Sequence, residues 1–296
     1  MKLQIADKAG ACYGVERALK LVEEAAKEAT SIHTLGPLIH NPQVVSSLEQ
    51  KGVAVSNEPD SLSEGTVVLR SHGVALELEH DLRERGLDLV DATCPFVKRA
   101  HLCAQSLSEK GYFVIIVGDE GHAEVEGISS YVNTSYVVTT KVEDLKALKL
   151  GKRVGLVVQT TQSQAVLQEL CSYLLPRVQE LRIFNTICEA TQERQEAAAS
   201  LATSSDLMIV VGGKNSGNTK RLYEICKELC PRSYHIESSQ ELQEINFNPT
   251  DKVGITAGAS TPAYQIAQVV EALQELSDQL EATQSLLSKS EINKDE

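Results

Sequence analysis

Three cysteines occupy matching places in a threefold repeat, and that repeat restricts the possible folds more than any other feature of the chain. Cys12 follows LQIAD, Cys94 follows LDLVDAT and Cys188 follows LRIFNTI, each the end of a predicted strand. After each comes a segment that reads as a helix: GVERALKLVEEAAKE, PFVKRAHLCAQSLSEK and EATQERQEAAASLATS. Ala, Leu, Glu, Gln and Lys dominate these segments, and Pro95 sits where a first helical turn tolerates it. A second predicted strand then ends in a polar tip at His40, His122 or Ser216. The spacing from cysteine to tip is 28 residues in all three cases (12 to 40, 94 to 122, 188 to 216). Repetition at this scale marks repeated structural units.

The pattern continues through a helix, a short third strand, a helical turn and a fourth strand with its own tip. These tips are His72, Thr160 and Ser260, at 60, 66 and 72 residues beyond their cysteines (12 to 72, 94 to 160, 188 to 260). The growing offset falls in loops, which absorb insertions at small cost. Alternating strands and helices call for an α/β fold with small parallel sheets and right-handed crossovers. In such sheets ligands bind beyond the carboxyl ends of the strands, and all three cysteines and all six tips fall at that edge. Three similar domains are expected: 12–93, 94–187 and 188–277. The last is completed by the N-terminal segment 1–11, whose strand is placed at residues 2–7. A closing helix, PAYQIAQVVEALQELSDQLEATQSLL, leads into a helix extension and polar tail over 278–296, frayed beyond about residue 288.

Composition sets the outer limits. The 296 residues carry a formal net charge of -13, which argues against nucleic acid, whose phosphates are met by Lys and Arg. No stretch approaches the ~20 apolar residues needed to span a membrane, and MKLQIADKAGACYG is not a secretory signal. The expected location is the cytoplasm, a reducing compartment, so the seven cysteines are not read as a disulfide framework.

Three thiolates aimed at one point can bind a zinc ion or an iron–sulfur cluster. Structural zinc usually takes closely spaced Cys pairs, whereas these cysteines are 82 and 94 residues apart (12 to 94, 94 to 188). A cubane held by three cysteines leaves one iron without a protein ligand and open to substrate. Cys103, Cys171, Cys226 and Cys230 have no place in the repeat and are read as core residues. His33, His80, His101 and His235 are read as surface or locally bonded. GGKNSGN (212–218) has the glycine and small polar content of an anion cradle without being a P-loop. In HAEVEG (122–127), Glu124 and Glu126 point in different directions, and either is a candidate acid or a helix-dipole partner.

Together these motifs resemble the 4-hydroxy-3-methylbut-2-enyl diphosphate reductase (LytB/IspH) family. The matching stretches are GACYGVERA, GPLIHN, RSHGV, DATCP, GHAEVEG, QTTQS, ICEATQERQEA, GGKNSGNTKRL and TAGAS, in order along most of the chain. The resemblance implies three α/β domains in a pseudo-threefold, trefoil-like arrangement around a central cluster. It implies one [4Fe–4S] cluster per chain on Cys12, Cys94 and Cys188, with one iron free of protein ligands. His40, His72, His122, Thr160, Ser216, Asn218 and Ser260 would surround an allylic diphosphate, with Thr160 near the reacting hydroxyl and Glu124 the proton donor. The implied reaction is reductive dehydroxylation to isopentenyl and dimethylallyl diphosphates, with two electrons from a one-electron donor such as ferredoxin or flavodoxin. Ala123, where relatives often carry Pro, and Gly217, where a second Ser is common, depart from the family pattern. The competing readings are a three-cysteine cubane dehydratase, which needs no external electrons, and an iron–sulfur sensor, which would need a macromolecule-binding surface.

Overall fold

The computed structural model describes the backbone of residues 1–292 and the side chains of residues 1–284. The chain opens with β1 (Lys2–Ile5) and α1 (Tyr13–Glu28). There follow β2 (Ile32–Leu35), α2 (Pro42–Gln50), β3 (Val53–Ser56), β4 (Thr66–Leu69), α3 (Leu76–Glu84) and β5 (Asp88–Asp91). The next stretch runs α4 (Pro95–Glu109), β6 (Phe113–Val117), α5 (Ala123–Ser130), β7 (Tyr136–Thr139), α6 (Val142–Lys146), β8 (Arg153–Val158), α7 (Gln164–Leu174) and β9 (Glu180–Phe184). The last is α8 (Glu189–Ala202), β10 (Leu207–Val211), α9 (Gly217–Leu229), β11 (Ser233–Ile236), β12 (Lys252–Ala257) and α10 (Ala263–Ile292). Short 3-10 turns at Pro59–Ser61 and Ser239–Glu244 precede β4 and β12.

Among the described residues the strands form three four-stranded sheets, ordered β3-β2-β4-β5, β7-β6-β8-β9 and β11-β10-β12-β1. Every pairing is parallel. The order is the same in each, and β1 takes in the third sheet the place that β5 and β9 take in the others. Three small parallel sheets with covering helices are the α/β class expected from the repeat. The expected N-terminal strand is shorter than residues 2–7: pairing of β1 with β12 stops at Ile5 opposite Ile255. α10 continues through the residues expected to fray, as far as Ile292. SLLSKSEI holds no Pro or Gly to stop it; the rest of the expected tail, 293–296, lies outside the described residues.

Sequence explains why the inner strands are inner. VVL, VIIV, VGLVV, LMIVV and VGITA make β4, β6, β8, β10 and β12 almost wholly buried, as parallel strands covered on both faces must be. Outer strands such as β5 (DLVD) and β9 (ELRIF) are partly exposed. Full burial of each such aliphatic side chain contributes about 1.5–3 kcal/mol. The chain forms two compact units, Met1–Ala11 with Glu193–Glu296, and Cys12–Gln192. The first holds the sheet containing β1, built on Ile209, Val211, Ile255 and Leu273. The second holds the other two sheets, built on Val67, Leu69 and Leu82 and on Ile116, Val157 and Ile128.

Candidate active site

Within the unit Cys12–Gln192, all three cysteines stand at helix starts. Cys12 is the N-cap of α1 and Cys94 the N-cap of α4, both extended, and neither side chain makes a capping bond. Their carbonyls accept the first helical bonds, from Glu16 N–H and Lys98 N–H at 3.0 Å. The carbonyl of Cys188 accepts from Thr191 N–H at 2.9 Å and Gln192 N–H at 3.0 Å as α8 begins. The positive end of a helix favours a thiolate over a thiol. Burial pushes the Cys94 thiol up; the nearby backbone N–H groups of Phe96 and Val97 oppose this, and Cys12 and Cys188 add to it.

Gly14 shows how closely the backbone approaches. A Cβ at that position would lie 2.6 Å from Cys94 Sγ and 3.8 Å from Cys12 Sγ. Among the described residues, no three His, Cys, Asp or Glu side chains close on a single metal ion. Three cysteines at helix starts are a soft thiolate donor set of the kind that iron–sulfur chemistry uses.

The tips of the central strands carry a histidine group. Ring centroids are 4.2 Å apart for His40 and His72, 5.3 Å for His40 and His122, and 5.7 Å for His72 and His122. Burial lowers all three below the ordinary imidazole range, His40 to about 4, and the nearby charge of Arg70 lowers them further. They are therefore neutral hydrogen-bonding groups at neutral pH. His122 N-caps α5, its Nδ1 accepting from Glu124 N–H at 3.1 Å, so its Nε2–H is left as a donor. Buried His72 Nδ1 has no hydrogen-bond partner.

Glu124 is 1% exposed. Its Oε1 accepts from Thr160 N–H at 2.6 Å and its Oε2 from Thr160 Oγ1–H at 2.9 Å. Burial raises its carboxyl to about 7 against those two bonds. Glu126, two positions on and so just over half a turn round the helix, is exposed. The loops are laced together beneath these groups. Cys94 N–H bonds Ser71 O and Cys188 N–H bonds Thr160 O, each at 3.0 Å, the same link in two sheets. Ser71 in turn reaches Leu38 O through its Oγ–H at 3.0 Å.

In the unit Met1–Ala11 with Glu193–Glu296, Ser216 N-caps α9, its Oγ accepting from Thr219 N–H at 3.3 Å. Asn218 is buried with neither side-chain atom hydrogen-bonded, and buried Thr219 Oγ1 is likewise unpartnered. Ser260, also buried, follows β12, whose Ala257 pairs with Val211 of β10. A Cβ at Gly258 would lie 2.0 Å from Thr219 Oγ1, and one at Gly212 would lie 2.9 Å from it. Unsatisfied buried polar atoms at a helix N-terminus form a setting suited to an anion.

Two features escape a reading of spacing. Arg70 lies in RSHGV, yet only the fold shows its half-buried guanidinium near the histidines, with its Nε–H donating to Gly73 O at 3.1 Å. Gly36, at φ +66°, leaves room for it, since a Cβ there would meet Arg70 Nη1 at 3.0 Å. His101 is neither at the surface nor locally bonded, as its sequence context suggests. It is 4% exposed, stacked on Tyr131 at 4.7 Å, and its Nε2 has no partner. Its ring fills the space that Cβ atoms at Gly73 (2.8 Å) and Gly127 (3.0 Å) would need. α4 turns it inward with Ala100 and Ala104. Of the others, His33 bonds Ser31, exposed His80 pairs with Glu84, and His235 bonds Gly212 O. Cys226 and Cys230 are buried among Leu222 and Val210, while Cys103 and Cys171 are half-buried.

Residues 3–274 match the family model described as LytB protein. A 4-hydroxy-3-methylbut-2-enyl diphosphate reductase of Geobacter sulfurreducens is 49% identical over 276 residues, 93% of this chain and 98% of the relative. One from Aquifex aeolicus is 46% identical over 276 residues, 92% of this chain and 96% of its own length. A solved structure of (E)-4-hydroxy-3-methyl-but-2-enyl diphosphate reductase, the terminal enzyme of the non-mevalonate pathway, matches with a TM-score of 0.68 at 46% identity, covering 93% of this chain and all (100%) of its own. The E-1-hydroxy-2-methyl-but-2-enyl-4-diphosphate reductase from Plasmodium falciparum matches with a TM-score of 0.83 at 26% identity, over 91% and 87% of the two chains. The chain belongs to the LytB protein family.

Proposed function

We propose that the chain is a 4-hydroxy-3-methylbut-2-enyl diphosphate reductase, removing the C4 hydroxyl of its substrate to give isopentenyl and dimethylallyl diphosphates. The observation that carries the reading is the pairing, in one unit, of three helix-start cysteines with a buried carboxyl bonded through both oxygens to Thr160. Cys12, Cys94 and Cys188 would hold one [4Fe–4S] cluster, which when bound supplies electrons singly and an iron free of protein ligands.

The remaining work falls to the chain. With its pKa raised to about 7, the Glu124 carboxyl keeps its proton in a large share of molecules near neutral pH and in nearly all below it. It can pass that proton to Thr160 Oγ1, whose own hydrogen goes to the departing hydroxyl, so that the oxygen leaves as water. The neutral donors His40, His72 and His122, with Ser216, Asn218 and Ser260, would bind the diphosphate and orient the carbon–oxygen bond. The organic part gains two electrons and a proton, the latter from the substrate diphosphate itself. Among the described residues no helix is long and apolar enough to cross a membrane. We infer a cytoplasmic enzyme, organised as domains 12–93, 94–187 and 188–277 with 1–11, and served by an external one-electron donor such as ferredoxin or flavodoxin.

The test is anaerobic reconstitution with iron and sulfide, followed by turnover of the wild type beside Glu124→Gln. The reading requires a variant that keeps the wild-type iron content and visible spectrum but loses about 10²–10⁴ in kcat. A Glu124→Gln enzyme as fast as the wild type removes the assigned acid.

A further inference from the structure

The proposed reaction consumes electrons that the chain must receive from outside, since it carries no nicotinamide or flavin fingerprint. Where they enter is a question of which surface lies nearest the cysteine sulfurs. Among the described residues, the exposed large apolar side chains within two positions of Cys12, Cys94 or Cys188 are Tyr13 (64% exposed) and Phe96 (39% exposed). Tyr13 directly follows Cys12. Phe96 stands in the first turn of α4, whose N-cap is Cys94. α1 and α4 meet here: Gly14 lies against Cys94 Sγ, and Arg17 Nη1–H donates to Thr93 O at 3.2 Å.

The outer face of α4 continues this corner. Val97, Ala100, His101, Ala104, Leu107 and Ser108 turn inward, leaving Phe96, Lys98, Arg99 and Leu102 exposed, Leu102 by 63%. From Pro95 to Ser108 the helix contains no Asp or Glu, in a chain whose net charge is -13. Lys98 is paired with Asp91, and Glu16 is exposed on α1. Cys103 of α4 and Phe184 of β9 pack on one core cluster, and Arg182 lies over the Phe184 ring at 5.1 Å, which brings a second arginine to this side. An apolar centre with cationic neighbours suits a small acidic protein: the charges steer the encounter and the apolar contacts hold it.

We propose that the exposed face of α4 around Phe96, Arg99 and Leu102, with Tyr13 of α1, docks an acidic one-electron carrier protein and admits its electrons through Phe96 and Cys94. The proposal rests on the reductase reading above. Each turnover oxidises two reduced carriers by one electron each. With two protons, those electrons break the carbon–oxygen bond, form a carbon–hydrogen bond and release water. Another basic stretch, Lys146 to Arg153, leads into the amino end of β8, whereas Thr160 follows its carboxyl end. The six residues of β8 separate the two by about 20 Å, too far for a route as direct as the one through Phe96.

The test compares two reductants on the cluster-loaded enzyme: a reduced acidic [2Fe–2S] ferredoxin, and dithionite, which needs no docking face. For Arg99→Glu combined with Leu102→Ser, both on the outer face, ferredoxin-driven kcat/KM should fall about tenfold, while iron content and dithionite-driven turnover stay at wild-type values. Arg99→Glu alone should show the same split more weakly, and Lys149→Glu, at the other basic stretch, should change neither rate. Unchanged ferredoxin-driven turnover in the double variant overturns the proposal. So does an equal fall with both reductants, which would mean that the face supports the fold. If the loaded wild type turns over with neither reductant, it is the reductase reading that fails, and the docking face goes with it.

Discussion

Glu124 concentrates the chemistry of a single residue. The sequence offers two carboxylates in HAEVEG and no way to choose between them, because the choice depends on which side of α5 faces Thr160. The fold buries Glu124 and leaves Glu126 exposed. Burial raises the Glu124 carboxyl from its ordinary 4.5 to about 7. The folded state therefore binds this proton more tightly than the unfolded chain, and the stabilisation is complete below about pH 4.5 and lost as pH rises to about 7. The amount is on the order of 3 kcal/mol. Wild-type and Glu124→Gln thermal melts at pH 5 and pH 8 should show the variant losing less stability with rising pH; parallel curves would contradict the buried-acid account. His40 works in the opposite direction. Burial lowers it from 6.5 to about 4, so its contribution is present above about 6.5 and lost as pH falls towards 4. The substitution at Glu124 isolates one of two opposing terms.

At the scale of elements, close approaches decide what the helices can hold. α1 reaches the cysteines because Gly14 has no side chain, and Gly14→Ala would put a methyl group 2.6 Å from Cys94 Sγ. The expected result is a folded protein, by far-UV circular dichroism, that binds well under half the wild-type iron after reconstitution. Full iron loading would show that the helix can shift. His101 fastens α4 to the His72 loop and to α5 by filling the space over Gly73 and Gly127. Truncation to Ala should cost about 2–4 kcal/mol in urea unfolding and lower turnover with both protein and chemical reductants. These features explain what sequence could and could not convey. The cysteines and first strand tips stand out because they recur 28 residues apart, and the second tips because each ends a fourth predicted strand. His101 and Arg70 do not, because each acts through a contact between loops distant in the chain that no repeat marks. The extent of α10, as far as Ile292, was not read from the sequence, although no Pro or Gly interrupts it there.

For the whole molecule, the same sheet order appears three times, and β1 supplies in the third the strand that precedes the cysteine in the others. That closure was legible because LQIAD and LRIFNTI stand in equivalent places before Cys12 and Cys188. The cations on α4 have a kinetic consequence: turnover driven by an acidic carrier should fall as salt rises from about 0.05 to 0.5 M, because screening shortens their reach. Dithionite-driven turnover should be less affected. Chelation of iron should abolish both. The central claim is that this chain removes a hydroxyl group reductively. It is tested most directly by incubating the iron-loaded protein anaerobically with 4-hydroxy-3-methylbut-2-enyl diphosphate, with and without dithionite, and measuring the five-carbon diphosphates released. The account predicts isopentenyl and dimethylallyl diphosphates only when reductant is present. No product from fully loaded protein, or product formed equally without reductant, would contradict it.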